Sequence, residues 1–471
     1  MIINKTFYVT LLMSLLLTGN ILSQNKYIYT TQRDSFYAVG PDEPVVTYLE
    51  NISSPAPSEL ERVAVEVFFK NRPFKMRFSM PCYPCMVTEN NIHFSNGWTE
   101  TYDPRASNSC EVLWDKEAEY ARMWIQSQNP ARIVVRVRAA LVDTEGYIAH
   151  SYIESDSPYG EGDWTDEWYY IYPDGTHTRH VRIYTGLAEQ SMTVTDQAVR
   201  EIPPNVIHEF QEDFIFGDDG HLPEDDIDVS PVTFIKMDGS SKTFSYQPYP
   251  EDFGEFIKAN IKLINLKSEY RPFTIVLPYG AENETYPPEH DLPHVFQSWP
   301  REPVNGYSVA LGHTLNWWHY KRNKNILEQV YLSGLTNTLD PVKELVPVAK
   351  SWITHPYVFM DGVEPSYKQK VFDPAQRAFI LRKEGNETMH FELGELKNID
   401  EEFKVDAWII NPVFVVKNWG STNIQVEANG KKLIEGLDYL AGYENSKSGT
   451  DLILWLNMKT NKRVKFSLIP R

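Results

Sequence analysis

Residues 163–184 read DWTDEWYYIYPDGTHTRHVRIY, and this stretch predicts a β-hairpin. The first arm, Trp164 to Tyr172, is dense in aromatic residues, and the second returns as Thr176 to Tyr184. Pro173-Asp174-Gly175 supplies the turn. Proline presets its own φ, aspartate bonds the backbone ahead, and glycine tolerates positive φ. Strand side chains alternate between faces. His180, Arg182 and Tyr184 therefore share one face, and His177 and Arg179 share the other. Such a hairpin is either a site or a polar surface, and surface polar residues are the norm.

Outward from the hairpin, Ala131 to Val142 (ARIVVRVRAALV) alternates most cleanly. Ile133, Val135, Val137, Ala139 and Leu141 form a core face. Arg132, Val134, Arg136 and Arg138 lie opposite. These arginines either meet a substrate, Arg136 and Arg138 above all, or pair with carboxylates on a neighbouring strand. Val63–Phe69, Phe74–Phe78, Ile261–Leu266, Phe273–Leu277 and Leu327–Leu332 also read as strands, and 92–102 reads as a strand pair. Asp115–Ile125 has helical content, and Asp340–Trp352 holds a short helix. With 13% aromatic residues, the chain is expected to be mainly β. The expected architecture is a large β-sandwich, with a supersandwich as one form of it, and a smaller C-terminal β region. The expected boundaries are 1–24 for a secretory leader, 25–340 for the main sandwich carrying the site, and 341–471 for the C-terminal region. Asn429-Gly430 is a hairpin turn within that last part.

The leader expectation rests on Lys5 followed by an apolar run too short to span a bilayer. It implies an exported, periplasmic or secreted protein with no membrane span. The net charge of −19 disfavours nucleic acid as a partner. An acidic chain still binds anions where cations gather in one cleft. Cys82, Cys85 and Cys110 suggest one disulfide and a spare thiol in an exported protein. The Cys82-Tyr-Pro-Cys85 spacing lacks the βαβ context of a redox motif.

No G-x-S-x-G elbow, H-E-x-x-H, Walker loop or G-x-G-x-x-G occurs, and no sulfatase maturation signature. No cofactor and no metal set is evident. Histidine, tyrosine and arginine in a β scaffold suit proton abstraction beside a carboxylate. In a uronic acid the C5 hydrogen is acidic, and arginine stabilises the enolate-like charge. Histidine or tyrosine takes the proton and returns one to the oxygen leaving C4. A departing sugar makes a lyase; a departing hydroxyl makes a dehydratase. The candidate catalytic residues are His208, which Glu209 could orient, Arg179, His150 and Tyr184. The candidate substrate contacts are Arg136, Arg138, His180, Arg182, Trp168, His294 and Trp299. A guanidinium matches a carboxylate bidentately, and tryptophan stacks on sugar rings when it is not packing a core.

Six segments together resemble a known family: NNIHFSNGWTETY, ARIVVRVRAALVD, GDWTDEWYYIYPDG, HEFQEDFI, KSEYRPFTIV and NPVFVVKNWG. The chain resembles exported all-β proteins that accompany sulfatases and lyases in marine polysaccharide-utilising bacteria, and within them the ulvan oligosaccharide dehydratases. The resemblance implies removal of water from a non-reducing-end glucuronic or iduronic acid linked to sulfated rhamnose. The implied product is a 4,5-unsaturated uronate, and the implied partner an anionic sulfated algal oligosaccharide. It also implies that Arg179 and His208 carry the chemistry, with His180 and Arg182 in support. A polysaccharide lyase acting by β-elimination and a non-catalytic carbohydrate-binding protein are the alternatives.

Overall fold

The computed structural model describes residues 36–39, 63–79, 84–115, 118–186, 207–216, 226–245, 254–277, 308–315, 321–323, 325–360, 371–385, 387–396, 407–420, 423–447 and 449–471. The chain is mainly β. Its largest sheet has ten strands. In spatial order they are Ser241–Phe244, Ile227–Ile235, Ile261–Leu266, Arg271–Val276, Ile326–Thr336, His177–Tyr184, Trp164–Ile171, Arg132–Ala140 and Arg122–Asn129, with Lys321–Asn323 also on Ile326–Thr336. A nine-stranded sheet packs against it. Its order is Tyr37–Val39, Val63–Phe68, Lys75–Ser79, Cys85–Val87, His93–Ser95, Ile207–Phe216, Trp98–Thr101 and Cys110–Glu111, with Ser308–Leu315 on Ile207–Phe216.

The alternation in Arg132–Ala140 builds the joint between these sheets. Ile133, Val135, Val137 and Ala139 are buried against Val65, Val67, Phe78, Phe94 and Ile215 of the opposite sheet. Each such aliphatic side chain stabilises by about 1.5–3 kcal/mol on burial, so an aspartate at Val135 would open the joint. The hairpin has the expected register, with Trp164 opposite Tyr184 and Ile171 opposite His177. Its turn closes through Tyr172 N donating to Thr176 O at 2.9 Å, and Gly175 takes φ +86°.

Two five-stranded sheets form a second sandwich within residues 357–470. The helix Pro341–Ile353 precedes it, started by the Asp340 carboxylate accepting from Lys343 N and by proline at its first turn. Helix residues Leu345, Ala349 and Trp352 share one apolar cluster with Phe414 and Leu454 of the second sandwich. That cluster also contains Ile261, Phe273, Ile275 and Leu332 from the outer face of the ten-stranded sheet. The hairpin turn joins the same contact: Asn411 Nδ2 donates to Asp174 at 2.8 Å, and Arg377 lies 3.5 Å from the Asp174 carboxylate.

One expectation is corrected. The described residues 118–125 of Asp115–Ile125 hold no helix, and a short turn at Val112–Trp114 comes before the range. The Asp115 carboxylate instead accepts from the backbone of Glu119, Tyr120 and Ala121, which bends the chain into the strand from Arg122. Cys85 and Cys110 are both buried and do not pair with each other, so the expected disulfide turns on Cys82. Three strands separate those of Cys85 and Cys110 in the sheet. At ~4.8 Å per strand that is roughly 19 Å, far beyond disulfide reach. Cys82 and the expected leader lie outside the described residues. No described helix is long and apolar enough to cross a membrane.

Candidate functional site

The outer face of the ten-stranded sheet divides in two. Its lower part is covered by the second sandwich. There Tyr170 and Tyr172 pack with Ala378, Val413 and Trp455, and Arg132 pairs with Glu444 at 2.7 Å. Its upper part is a strip bordered by the loop carrying Tyr159. Period-two alternation and antiparallel register place the side chains there in rows. Trp168 stands between Arg136 and His180, with Trp124 beyond Arg136. In the next row Asp166 stands between Arg138 and Arg182, with Arg122 beyond Arg138 and Glu328 beyond Arg182. Tyr184 follows opposite Trp164.

Trp168 is the centre of this strip. Its ring stacks on His180, with centroids 5.3 Å apart and planes at 26°. The Arg136 and Arg182 guanidinium groups lie 4.9 and 5.3 Å from its centroid. Its indole N–H donates to Gln126 at 3.1 Å. Arg136 also sits 5.0 Å from the Trp124 ring. Cations over indole faces are attracted by the ring quadrupole, which fixes these long side chains in place.

Two carboxylates organise the cations. Glu328 accepts from Arg182 Nε at 3.0 Å and Nη2 at 2.8 Å, and lies 3.0 Å from His180 Nε2. An ionised carboxylate only accepts. Nε2 therefore carries the hydrogen of this bond. Burial pushes the Glu328 carboxyl up, but the bonds and charges of His180 and Arg182 pull it down to about 2. Asp166 accepts from Arg136 Nε at 2.6 Å and bonds the Tyr159 hydroxyl, which Arg136 Nη2 also meets at 2.8 Å. Burial and the Asp166 contact push the Tyr159 hydroxyl up to about 12, so near neutral pH it donates and is no base. The rows bring four arginines, Arg122, Arg136, Arg138 and Arg182, onto one face with two carboxylates, Asp166 and Glu328. In a chain of net charge −19 this is a local cationic surface. The Arg136 and Arg182 side chains keep 26% and 33% of their surface exposed, enough for a ligand to touch them.

The structure thus brings together Arg136, Arg138, Trp168, His180, Arg182 and Tyr184 of the sequence candidates. Arg179 is elsewhere, on the inner face with no exposed surface. Its Nε and Nη2 each donate to Glu167 at 2.8 Å, so the bidentate carboxylate match is made inside the protein. His150 is also fully buried, at φ +52°. Its Nδ1 is 2.7 Å from Asp163 and its backbone N donates to Asp103 at 2.7 Å, an arrangement that secures the loop before the hairpin. His208 lies on the nine-stranded sheet, its backbone opposite Glu100. The His208 side chain, His294 and Trp299 lie outside the described residues.

Sequence reasoning missed Glu328, Asp166, Trp124, Gln126 and Tyr159. Asp166 was readable, since it shares the face of Trp168 by alternation. Glu328 becomes relevant only through the pairing of Ile326–Thr336 with the hairpin, a long-range register that no local pattern encodes.

No family model matches the chain. No curated protein matches it either. The chain is similar to a solved structure described as a polysaccharide lyase, at 8% identity, covering 92% of this chain and 47% of that one, with a TM-score of 0.14. The chain spans about half the length of that protein, and so low a TM-score carries no argument about fold or chemistry.

Proposed function

We propose that the chain is a carbohydrate-active carbon–oxygen lyase working on anionic oligosaccharides. In its finer form it is a dehydratase that removes water from the non-reducing-end glucuronic or iduronic acid of ulvan oligosaccharides. The observation that carries this reading is the His180–Glu328 pair beside Trp168, flanked by Arg136 and Arg182. Trp168 supplies an apolar edge against which a sugar ring packs, between the two arginines. Arg182 faces the developing charge on the uronate carboxylate. His180 Nδ1 takes the C5 proton while Glu328 steadies the imidazolium. The C5–H electron pair becomes the C4=C5 double bond, the C4–O bond breaks, and the departing hydroxyl leaves as water after protonation. Tyr184, two alternations beyond His180 on the same face, is the proposed donor of that proton. The leader-like residues 1–24 support a periplasmic or secreted location.

The deciding experiment incubates the protein with saturated uronate–rhamnose-sulfate oligosaccharides and follows products by mass spectrometry. Loss of one water at unchanged chain length is the expected result. Shorter fragments with an unsaturated end would indicate a β-eliminating lyase. Binding without any mass change would favour a carbohydrate-binding protein. That second reading has an observation of its own: a tryptophan between two arginines on a sheet face is sufficient for affinity without turnover.

A further inference from the structure

We propose that Arg138, with Arg122 beside it, forms a second oxyanion subsite on the same face, separate from the group read by His180 and Arg182. This rests on the glycan reading above and extends it, because it requires a ligand with two anionic substituents. Arg136 is held by Asp166, Arg182 by Glu328, and Arg122 donates to the carbonyls of Ala118, Glu119 and Ala121. Arg138 alone of the four makes no hydrogen bond among the described residues. Its only contact of this kind is with the face of the Tyr159 ring, 4.6 Å from centroid to guanidinium. Its Nε is buried and has no acceptor. The carboxylate opposite it, Asp166, is spent on Arg136 and Tyr159.

A half-buried guanidinium without an acceptor is costly to keep, since a buried donor left unmade loses its hydration. Tyr159 fixes its plane, and Arg122 directly across the strand pair adds a second positive charge with only backbone partners. A planar fork held in this way matches an oxyanion, either a sulfate ester or a second carboxylate. The subsite lies one strand from Trp168, so the two anionic groups belong to adjacent parts of one oligosaccharide.

The test measures binding of uronate–rhamnose oligosaccharides of equal length, sulfated or chemically desulfated, and of a desulfated oligosaccharide with an added uronate, to the full chain and to Arg138→Gln and Arg138→Lys. The full chain is expected to prefer the doubly anionic ligands by about 10-fold or more, the range of a charged hydrogen bond. Arg138→Gln should erase that preference, and Arg138→Lys should keep part of it. Preference for the sulfated ligand alone assigns a sulfate ester, and equal preference for the second uronate assigns a general oxyanion. A preference that survives Arg138→Gln, with Trp168-dependent binding intact, overturns the subsite alone. No binding of any acidic oligosaccharide by the full chain overturns both the subsite and the glycan reading.

Discussion

His180 and Glu328 face each other from adjacent strands, with Nε2 3.0 Å from a carboxylate that also holds Arg182. One carboxylate thereby sets the tautomer of an imidazole and the direction of a guanidinium, so a single change should disturb both.

Glu328→Gln is expected to lower turnover and to weaken the acid response of stability. The Glu328 carboxyl is held at about 2 in the fold, below its unfolded value. A depressed carboxyl stabilises above the unfolded pKa, near 4.3, and loses that contribution as pH falls toward the folded value. The variant should be less stable at pH 7 by about 2 kcal/mol, after discounting for partial exposure. Urea unfolding at pH 7 and pH 3 checks this, and the gap should narrow at the lower pH.

Trp168→Ala should weaken oligosaccharide binding about 10-fold, through loss of that apolar edge and of two cation–π contacts. Far-UV circular dichroism should be unchanged, since the ring lies on the outer face. Calorimetric titration reads the affinity.

The histidines separate two locations for the chemistry. If the outer face holds the base, His180→Ala loses turnover by about 10²–10⁴-fold, and His208→Ala does not. If the sequence expectation for His208 is correct, His208→Ala abolishes product formation with the fold intact. Mass-spectrometric assays of both variants decide between them.

Arg179→Ala should act on stability. It would leave Glu167 buried and unpaired in the interior, which costs about 3–5 kcal/mol. A denaturation midpoint far below that of the parent is expected. An intact midpoint with lost activity would return Arg179 to the site.

His177 gives a pH dependence of opposite origin. Burial holds its imidazole neutral, with the pKa lowered to about 3. Between that value and ~6.5 the unfolded chain binds a proton that the fold excludes, so stability falls as pH drops through this window by about 1.4 kcal/mol per unit. His177→Phe should remove this slope from acid-unfolding curves.

The fold was legible where pattern is local. The two faces of Ala131–Val142 and the hairpin follow from alternation and turn chemistry, and the short helix after Asp340 lies where it was read. The face shared by His180, Arg182 and Tyr184 followed from the same rule. Partnership was not legible. Arg179 and Arg136 are both guanidiniums on strands, and only cross-strand register shows that Glu167 closes one inside the core while the other reaches solvent. His150 likewise gives no local sign that Asp163 and Asp103 bury it.

The contact of Asp174 with Asn411 and Arg377 gives the hairpin two distinct ends. Its open end presents Trp168 and Arg182, and its turn grips the second sandwich. A recombinant chain stopped after residue 340 would therefore lose more than an appendage. It would lay bare Ile261, Phe273, Ile275 and Leu332, a row prone to association between chains. Expression trials should keep the two halves on one polypeptide.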